Sequence, residues 1–483
     1  MVTMIPFLLP LLAVAIVESV CAFTPQICIV GSGISGSSAA YFLRNYSAEQ
    51  LDIYVFEQNS QVGGRVAVVD MGDGSKLEAG GSIIHPKNLH AAYFTEILGL
   101  KKLQLADDDD DDFGMWNGSA FIFKTQKIVS SSFISRAWIS TLNKLAFLRR
   151  YRLGLFYMNN YVAATLAKFL RFYDNSKPIF ETVEAMLKWA NLYESTQTTC
   201  ERELQNYGLS DQLINELITV IMRVNYGQSK SISGMAGAVS LCGSGGNFWA
   251  VEGGNWRMAA GLIQLANASL LLNSKVDSVM KVDGGYEIGT ESGDKRFCNA
   301  IILATSLDES QIDFRPPIQI PRRKMQHTHA TFVRGIINPD YFGMPSVSDV
   351  PSFIGTLEIP TIPFSSINVL KSYANDDKIY KVFSRMAMSD DLLDRVFSIR
   401  KITKHFDWSA YPHYEAPEVF APFVLDKRHL YYINAFENAA STIETGAVAA
   451  ENVARLLLSK LGGDLLSLQQ NVNSRKEMDQ YDL

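Results

Sequence analysis

The residues Gly31-Ser32-Gly33-Ile34-Ser35-Gly36 set three glycines at the spacing G-x-G-x-x-G, directly after the apolar run Ile27-Cys28-Ile29-Val30. Gly31 permits a tight turn, Gly33 lets backbone approach a pyrophosphate, and Gly36 allows a helix to pack closely on a sheet. The helix that must follow offers unpaired N–H groups and the positive end of its dipole to the same anion. Glu57 closes the next apolar run, Ile53-Tyr54-Val55-Phe56-Glu57. It lies at the offset of about 20 residues where an acid accepts ribose hydroxyls and disfavours a 2′-phosphate. A βαβ turn that binds nothing is the alternative reading of the glycines alone.

Two more glycine pairs follow, in Val62-Gly63-Gly64-Arg65 and Glu78-Ala79-Gly80-Gly81-Ser82. Each marks a place where backbone turns sharply or lies against a ligand. Arg65 can bring charge to the diphosphate side, or else form a surface ion pair. His85 comes shortly after the second pair and is a candidate polar group at a reacting centre, though a satisfied structural histidine fits equally well. Tyr226 and Gln228, in the phrase Asn225-Tyr226-Gly227-Gln228, are candidates for substrate contact; Glu252 and Asn255 are weaker ones. No nucleophile–base set stands out, and no CxxC or Cys/His cluster points to a metal. The acidic run Asp107–Asp112 reads as a solvated loop rather than a metal site.

The elements that must position these groups can be read from pattern. Residues 27–57 form one βαβ unit, with a helix over Ser35–Arg44 and a second strand ending at Glu57. Residues 130–225 are helical in periodicity. Leu270–Val279, Ala300–Ala304 and Leu430–Asn434 read as strands, and Thr445–Ser459 as a helix. Between Pro316 and Pro422, proline and aromatics are frequent and strand signals weak. The polar end beyond Gln469 reads as a mobile tail. With 483 residues, 47% hydrophobic and 19% charged, the chain can bury a large core. Its net charge of −6 gives no footing for nucleic acid.

The stretch from Met1 to Ser19 is apolar, and Val20-Cys21-Ala22 suits signal-peptidase cleavage after Ala22, a signal anchor being the alternative. The sequons at Asn45, Asn117 and Asn267 agree with a secretory route, Asn117 being the best placed. Of the cysteines left after cleavage, Cys28 and Cys298 sit in apolar runs and read as buried free thiols. Cys200 and Cys242 are the two that could pair.

Taken together, the glycine loop, Glu57 and Gly63-Gly64-Arg65 resemble the flavin amine oxidase and protoporphyrinogen oxidase superfamily. The phrases GSGISGSSAAYFLRNYS, EAGGSIIHPKNLH, ETVEAMLKWANLY, RVNYGQS and FWAVEGGNW resemble more closely the prenylcysteine oxidase family. The resemblance implies an α/β fold: a Rossmann-type FAD-binding domain with a discontinuous mixed α+β substrate domain. The first would take residues 23–100, 236–310 and 426–470; the second would take 101–235 and 311–425. It implies FAD as cofactor, with Gly80, Gly81 and Ser82 near the isoalloxazine, Val276 meeting the adenine and Thr305 in the second strand-and-turn motif. In the segment Asn434–Val448, Glu437 would hold the ribitol, and Gly446 and Ala447 would face the pyrimidine end. Phe436 stands where the family's pattern has glycine.

The activity implied is cleavage of S-farnesylcysteine or a related prenylcysteine with O2 and water, giving prenyl aldehyde, cysteine and hydrogen peroxide. The carbon that loses hydride lies between sulfur and a double bond, so no strong base is required, which suits the missing nucleophile–base set. The helices at 130–225 would line the apolar pocket. An amine oxidase or desaturase on the same scaffold, and a non-catalytic prenyl-binding protein, are the rival readings. A lysosome or vacuole is the expected compartment, with the plasma membrane or the extracellular space as alternatives. Peripheral membrane contact stays open as a partner.

Overall fold

The structure is a computed structural model describing residues 24–104, 112–128, 133–244 and 246–481. The expected leader, most of the acidic run and Cys21 lie outside the described residues. Gln26–Val30, with four of five residues buried, is the centre of a five-stranded parallel sheet. Across that sheet the order is Leu430–Tyr432, Ala300–Leu303, Gln26–Val30, Asp52–Phe56, Ser269–Leu271. A strand buried on both faces needs a continuous apolar run rather than alternation, and both Ile27–Val30 and Ala300–Leu303 have it. Helix Ile34–Tyr46 covers one face, burying Gly36, Ser37, Ser38, Ala39 and Ala40. Those small side chains let it lie close to the sheet and to the C-terminal helix beginning at Ile443, which answers with Ala447, Ala449, Ala450 and Ala454.

That last helix runs Ile443–Tyr481 and takes in the polar stretch beyond Gln469. Strong helix formers (Leu, Gln, Lys, Glu, Met) and the absence of proline carry it past Gly462. An antiparallel hairpin pair, Val276–Val282, Gly285–Thr290 and Lys295–Cys298, adjoins the parallel sheet.

The second unit is a seven-stranded sheet drawn largely from the stretch whose strand signals are weak. Its order is Phe397–Pro412, Met325–Ile337, Lys378–Ser384, Ser366–Ser372, Phe353–Thr356, Phe113–Trp116, Phe121–Lys124. Met325–Ile337 and Phe397–Pro412 pair over their whole length with three register shifts, and such irregularities interrupt the two-residue period that marks a strand. Two strands of this sheet, Phe113–Trp116 and Phe121–Lys124, come from the segment just before the stretch 130–225 read as helical. The helices Phe133–Tyr151, Gly154–Phe169, Thr219–Tyr226 and Gly234–Cys242 lie beside it.

The cysteines are the main correction at this level. Cys28 and Cys298 form a disulfide across 270 residues of chain, while Cys200 and Cys242 are free. Both bonded cysteines are fully buried, which explains their apolar surroundings without making them free thiols. No helix among the described residues is long and apolar enough to cross a membrane.

Candidate cofactor and substrate site

One cavity of about 1470 Å³ runs from the glycine loop to the seven-stranded sheet. At one end, the turn after Gln26–Val30 places Gly31, Ser32, Gly33, Ile34 and Ser35 on its wall. Gly31 has φ +107°, and a Cβ there would stand 2.6 Å from the Ala304 carbonyl oxygen. A Cβ on Gly36 would stand 1.9 Å from the Gly31 carbonyl oxygen, so turn and helix close on each other only if that residue is glycine. Gly33 is different: its nearest neighbour, the Gly63 carbonyl oxygen, is 3.7 Å from where a Cβ would be, and the free space opens on the cavity. A side chain there would fill the cradle that a diphosphate needs.

Glu57 is 5% exposed at the end of Asp52–Phe56, on the cavity wall. One oxygen accepts from Ser32 N at 3.1 Å and Ser32 Oγ at 2.5 Å; the other accepts from Asn59 N at 2.9 Å and Asn59 Nδ2 at 2.8 Å. A carboxylate has about four acceptor directions, and all are used. Ribose hydroxyls must therefore displace the Ser32 hydroxyl or the Asn59 amide. Val276, Ala304 and Thr305 line the same end.

Gly63, Gly64 and Gly446 line the wall beside the glycine loop and Gly80, Gly81 and Ser82 also line it, whereas Ala447 is fully buried against the helix packing. Gly446 is needed for clearance, since a Cβ would reach 2.6 Å from Ser35 Oγ. Arg65 does not hold its charge at the diphosphate turn. Its guanidinium is bonded to Glu437 and donates to the Ala410 carbonyl at 2.9 Å. Glu437 raises that guanidinium's pKa against the opposing effect of burial. The second carboxylate oxygen of Glu437 is buried with no hydrogen-bond donor, and the Arg323 guanidinium stands 4.0 Å from it. An unpartnered buried acceptor on a cavity wall costs free energy until a donor arrives, and a ligand hydroxyl is such a donor. Cradle and orphaned acceptor together fit a dinucleotide cofactor lying across the cavity.

Aromatic and aliphatic side chains also line the wall. Leu166 and Phe169 come from helix Gly154–Phe169, Val239 from Gly234–Cys242, and Tyr411 and Phe383 from the seven-stranded sheet. Tyr226 is buried on the wall, its hydroxyl donating to the Ser441 carbonyl at 3.3 Å and its ring meeting Tyr411 edge to face at 4.8 Å. Gln228, expected at the substrate, is not on the wall. It accepts from Tyr414 N at 2.9 Å and donates to the Pro412 carbonyl at 3.0 Å, fixing the strand end that carries Tyr411. Asn255 is likewise a positioning residue, donating to the Gly81 carbonyl at 2.8 Å. Glu252 is on the surface with Lys101 at 3.0 Å.

His85 is half-buried on the wall beside Phe248, and its Nδ1 accepts from Lys87 N at 3.0 Å. Burial, with Lys87 nearby, lowers its pKa and favours the neutral ring. Sequence reasoning missed Lys381. Its amine is buried in the wall, donates to the Glu78 carbonyl at 2.9 Å, and is pushed by burial down to about 8. The Glu78 carboxyl is pushed up by burial to about 7 and has one oxygen without a partner. The available signal was a lysine inside the apolar strand run Ile379-Tyr380-Lys381-Val382-Phe383. Among the described residues no cluster of metal ligands occurs. Of the sequons, Asn45 and Asn267 are exposed and Asn117 half-buried, its side chain capping its own turn through Ser119 and Ala120.

Comparison with known proteins adds the family. The family described as prenylcysteine lyase matches residues 134–470, and the NAD(P)-binding Rossmann-like domain matches residues 29–97. Farnesylcysteine lyase of Arabidopsis thaliana is 50% identical over 441 residues, covering 90% of this chain and 88% of the relative. Prenylcysteine oxidase 1 of Homo sapiens is 32% identical over 478 residues, covering 92% and 91%. Among solved structures, cyclohexylamine oxidase from Brevibacterium oxydans superposes with a TM-score of 0.59 at 17% identity, covering 91% of this chain and 100% of that one, a likeness of fold. With a family match over most of its length and a relative 50% identical over 90% of the chain, the chain belongs to the prenylcysteine lyase family.

Proposed function

We propose that this chain is an FAD-dependent thioether oxidase. It cleaves S-farnesylcysteine or a related prenylcysteine with O2 and water to the prenyl aldehyde, cysteine and hydrogen peroxide. The observation that carries the reading is one continuous cavity joining a diphosphate cradle to an apolar chamber, in a chain half identical to a farnesylcysteine lyase. When bound, FAD would supply a two-electron oxidant for the carbon beside sulfur, with O2 as the final acceptor.

The chain's own residues do the holding and the proton handling. The turn Gly31–Gly36 and the N-terminus of its helix receive the diphosphate, and Glu57 the ribose. The free oxygen of Glu437 accepts from a ribityl hydroxyl. Leu166, Phe169, Val239, Tyr226 and Tyr411 exclude water from the prenyl chain and hold its reacting carbon in place. The substrate cation left by hydride loss is stabilised by sulfur and the double bond, so water can add without a strong base. Lys381 and Glu78, with pKa values near 8 and 7, can take the proton that water addition releases, and can relay the hydroxyl proton to the departing cysteine sulfur as the hemithioacetal collapses, a step with no net proton release.

The purified protein should be yellow, and anaerobic addition of farnesylcysteine should bleach its flavin absorbance, with one peroxide formed per aldehyde once air is admitted. Absence of both bleaching and peroxide with farnesyl- and geranylgeranylcysteine, or bleaching by polyamines instead, would sink the reading. We further propose an oxidising, secretory location, with a lysosome or vacuole as the destination. The buried Cys28–Cys298 disulfide supports it, because such bonds persist where thiols are not kept reduced.

A further inference from the structure

Helices Phe133–Tyr151 and Gly154–Phe169 meet at an elbow where Arg152 takes φ +52°. The inner side of the elbow is anchored. Tyr151, Gly154, Met158 and Tyr161 are buried, and a Cβ on Gly154 would stand 2.8 Å from Leu213 Cδ2. The outer side is unusual for a soluble surface. Trp138, Leu145, Leu148, Leu153 and Phe156 are 65, 52, 50, 61 and 61% exposed, and Tyr157 is exposed beside them. They recur at helical spacing, so they form one face rather than scattered residues.

Charge decides what covers this face. Residues 133–173 hold seven Lys or Arg and no Asp or Glu, in a chain whose net charge is −6. Lys144, Arg149 and Arg152 are exposed on the apolar side and have no carboxylate partner among the described residues. An apolar face rimmed by cations is the arrangement that lies in an anionic lipid interface. A second copy is disfavoured, because a two-fold contact would set the same cations against each other. No helix among the described residues is long and apolar enough to cross a membrane, and the elbow is amphipathic rather than apolar all round.

We propose that this elbow docks the protein on the surface of an anionic phospholipid membrane. The same helix continues from Phe156 at the surface to Leu166 and Phe169 on the cavity wall, roughly 20 Å along its axis. Docking therefore brings the cavity within reach of amphiphiles dissolved in the bilayer; that purpose, though not the docking, rests on the thioether reading.

The test is flotation of the purified full chain with vesicles of 70% phosphatidylcholine and 30% phosphatidylserine, against phosphatidylcholine alone. Binding should favour the anionic vesicles, and Trp138 should be quenched by brominated lipid, a signal lost in Trp138→Phe. Each cation near an anionic surface is worth roughly fivefold in partitioning, so K144Q/R149Q/R152Q should bind about 100-fold more weakly. L153S/F156S should also detach. Peroxide production from dissolved farnesylcysteine should be unchanged in both variants, which separates failure of docking from failure of the enzymatic reading. Wild-type protein that stays in the soluble fraction would overturn the proposal. So would variants that float as well as wild type, or a wild-type dimer that the same substitutions dissociate.

Discussion

Replacing Glu437 by leucine tests the cofactor site where the structure is most explicit. The side chain is nearly buried; one oxygen is bonded to Arg65 and the other has no donor. Leucine keeps most of the volume and removes the acceptor. If the free oxygen receives a ribityl hydroxyl, the lost bond is one to a charged group, worth about 1.5–3 kcal/mol. That corresponds to a Kd for FAD raised by about 10- to 150-fold. The fold should survive, because Arg65 is 37% exposed and can be hydrated once its partner is gone. The assay is the ratio of flavin to protein absorbance after gel filtration, followed by titration of the stripped protein with FAD. The melting temperature of the stripped protein serves as the control. Flavin affinity equal to wild type, in a variant whose apoprotein melts normally, would refute the assignment. The orphaned oxygen would then face something other than the cofactor.

Replacing both Cys28 and Cys298 by alanine should lower stability by about 3 kcal/mol, with a chain-entropy ceiling near 5–6 kcal/mol for so long a loop; a guanidinium midpoint unchanged from wild type would show that the sheet does not depend on the bond. Lys381→Met should remove an inflection near pH 8 from the kcat/KM profile, since the amine that titrates there loses its charge as pH rises through about 8; an inflection that persists belongs to another group. Glu418 is buried against Asn438 and pushed up to about 8. Below about pH 4.5 both folded and unfolded chains carry the proton; between 4.5 and 8 only the unfolded chain releases it, so stability falls over that window. Glu418→Gln removes this cost, and its melting temperature should gain on wild type steadily from pH 5 to pH 8.

Several features were legible in the residues alone because they are local. The βαβ unit from Ile27 to Glu57 could be read directly, since an apolar run, a glycine turn and an acid at fixed offset are all set by short-range geometry. The same holds for the cavity-lining glycine pairs Gly63-Gly64 and Gly80-Gly81, where backbone lies close to other backbone. The seven-stranded sheet was poorly legible because its longest pair, Met325–Ile337 with Phe397–Pro412, is interrupted by register shifts that blur the two-residue period.

What only the tertiary structure decided is pairing across long stretches of chain. Cys28 finds Cys298 rather than staying a thiol, and Arg65 reaches Glu437 rather than the diphosphate turn. Lys381 becomes a buried amine facing the cavity, while Gln228 turns away from it to hold backbone. The physical reason is common to all four. Residue type and spacing specify what a group can do. Burial and the identity of its neighbour specify what it does, and those are set only when distant segments pack. The glycine loop could therefore be assigned from six residues, whereas the proton-carrying groups and the lipid-facing elbow became visible only in the folded chain.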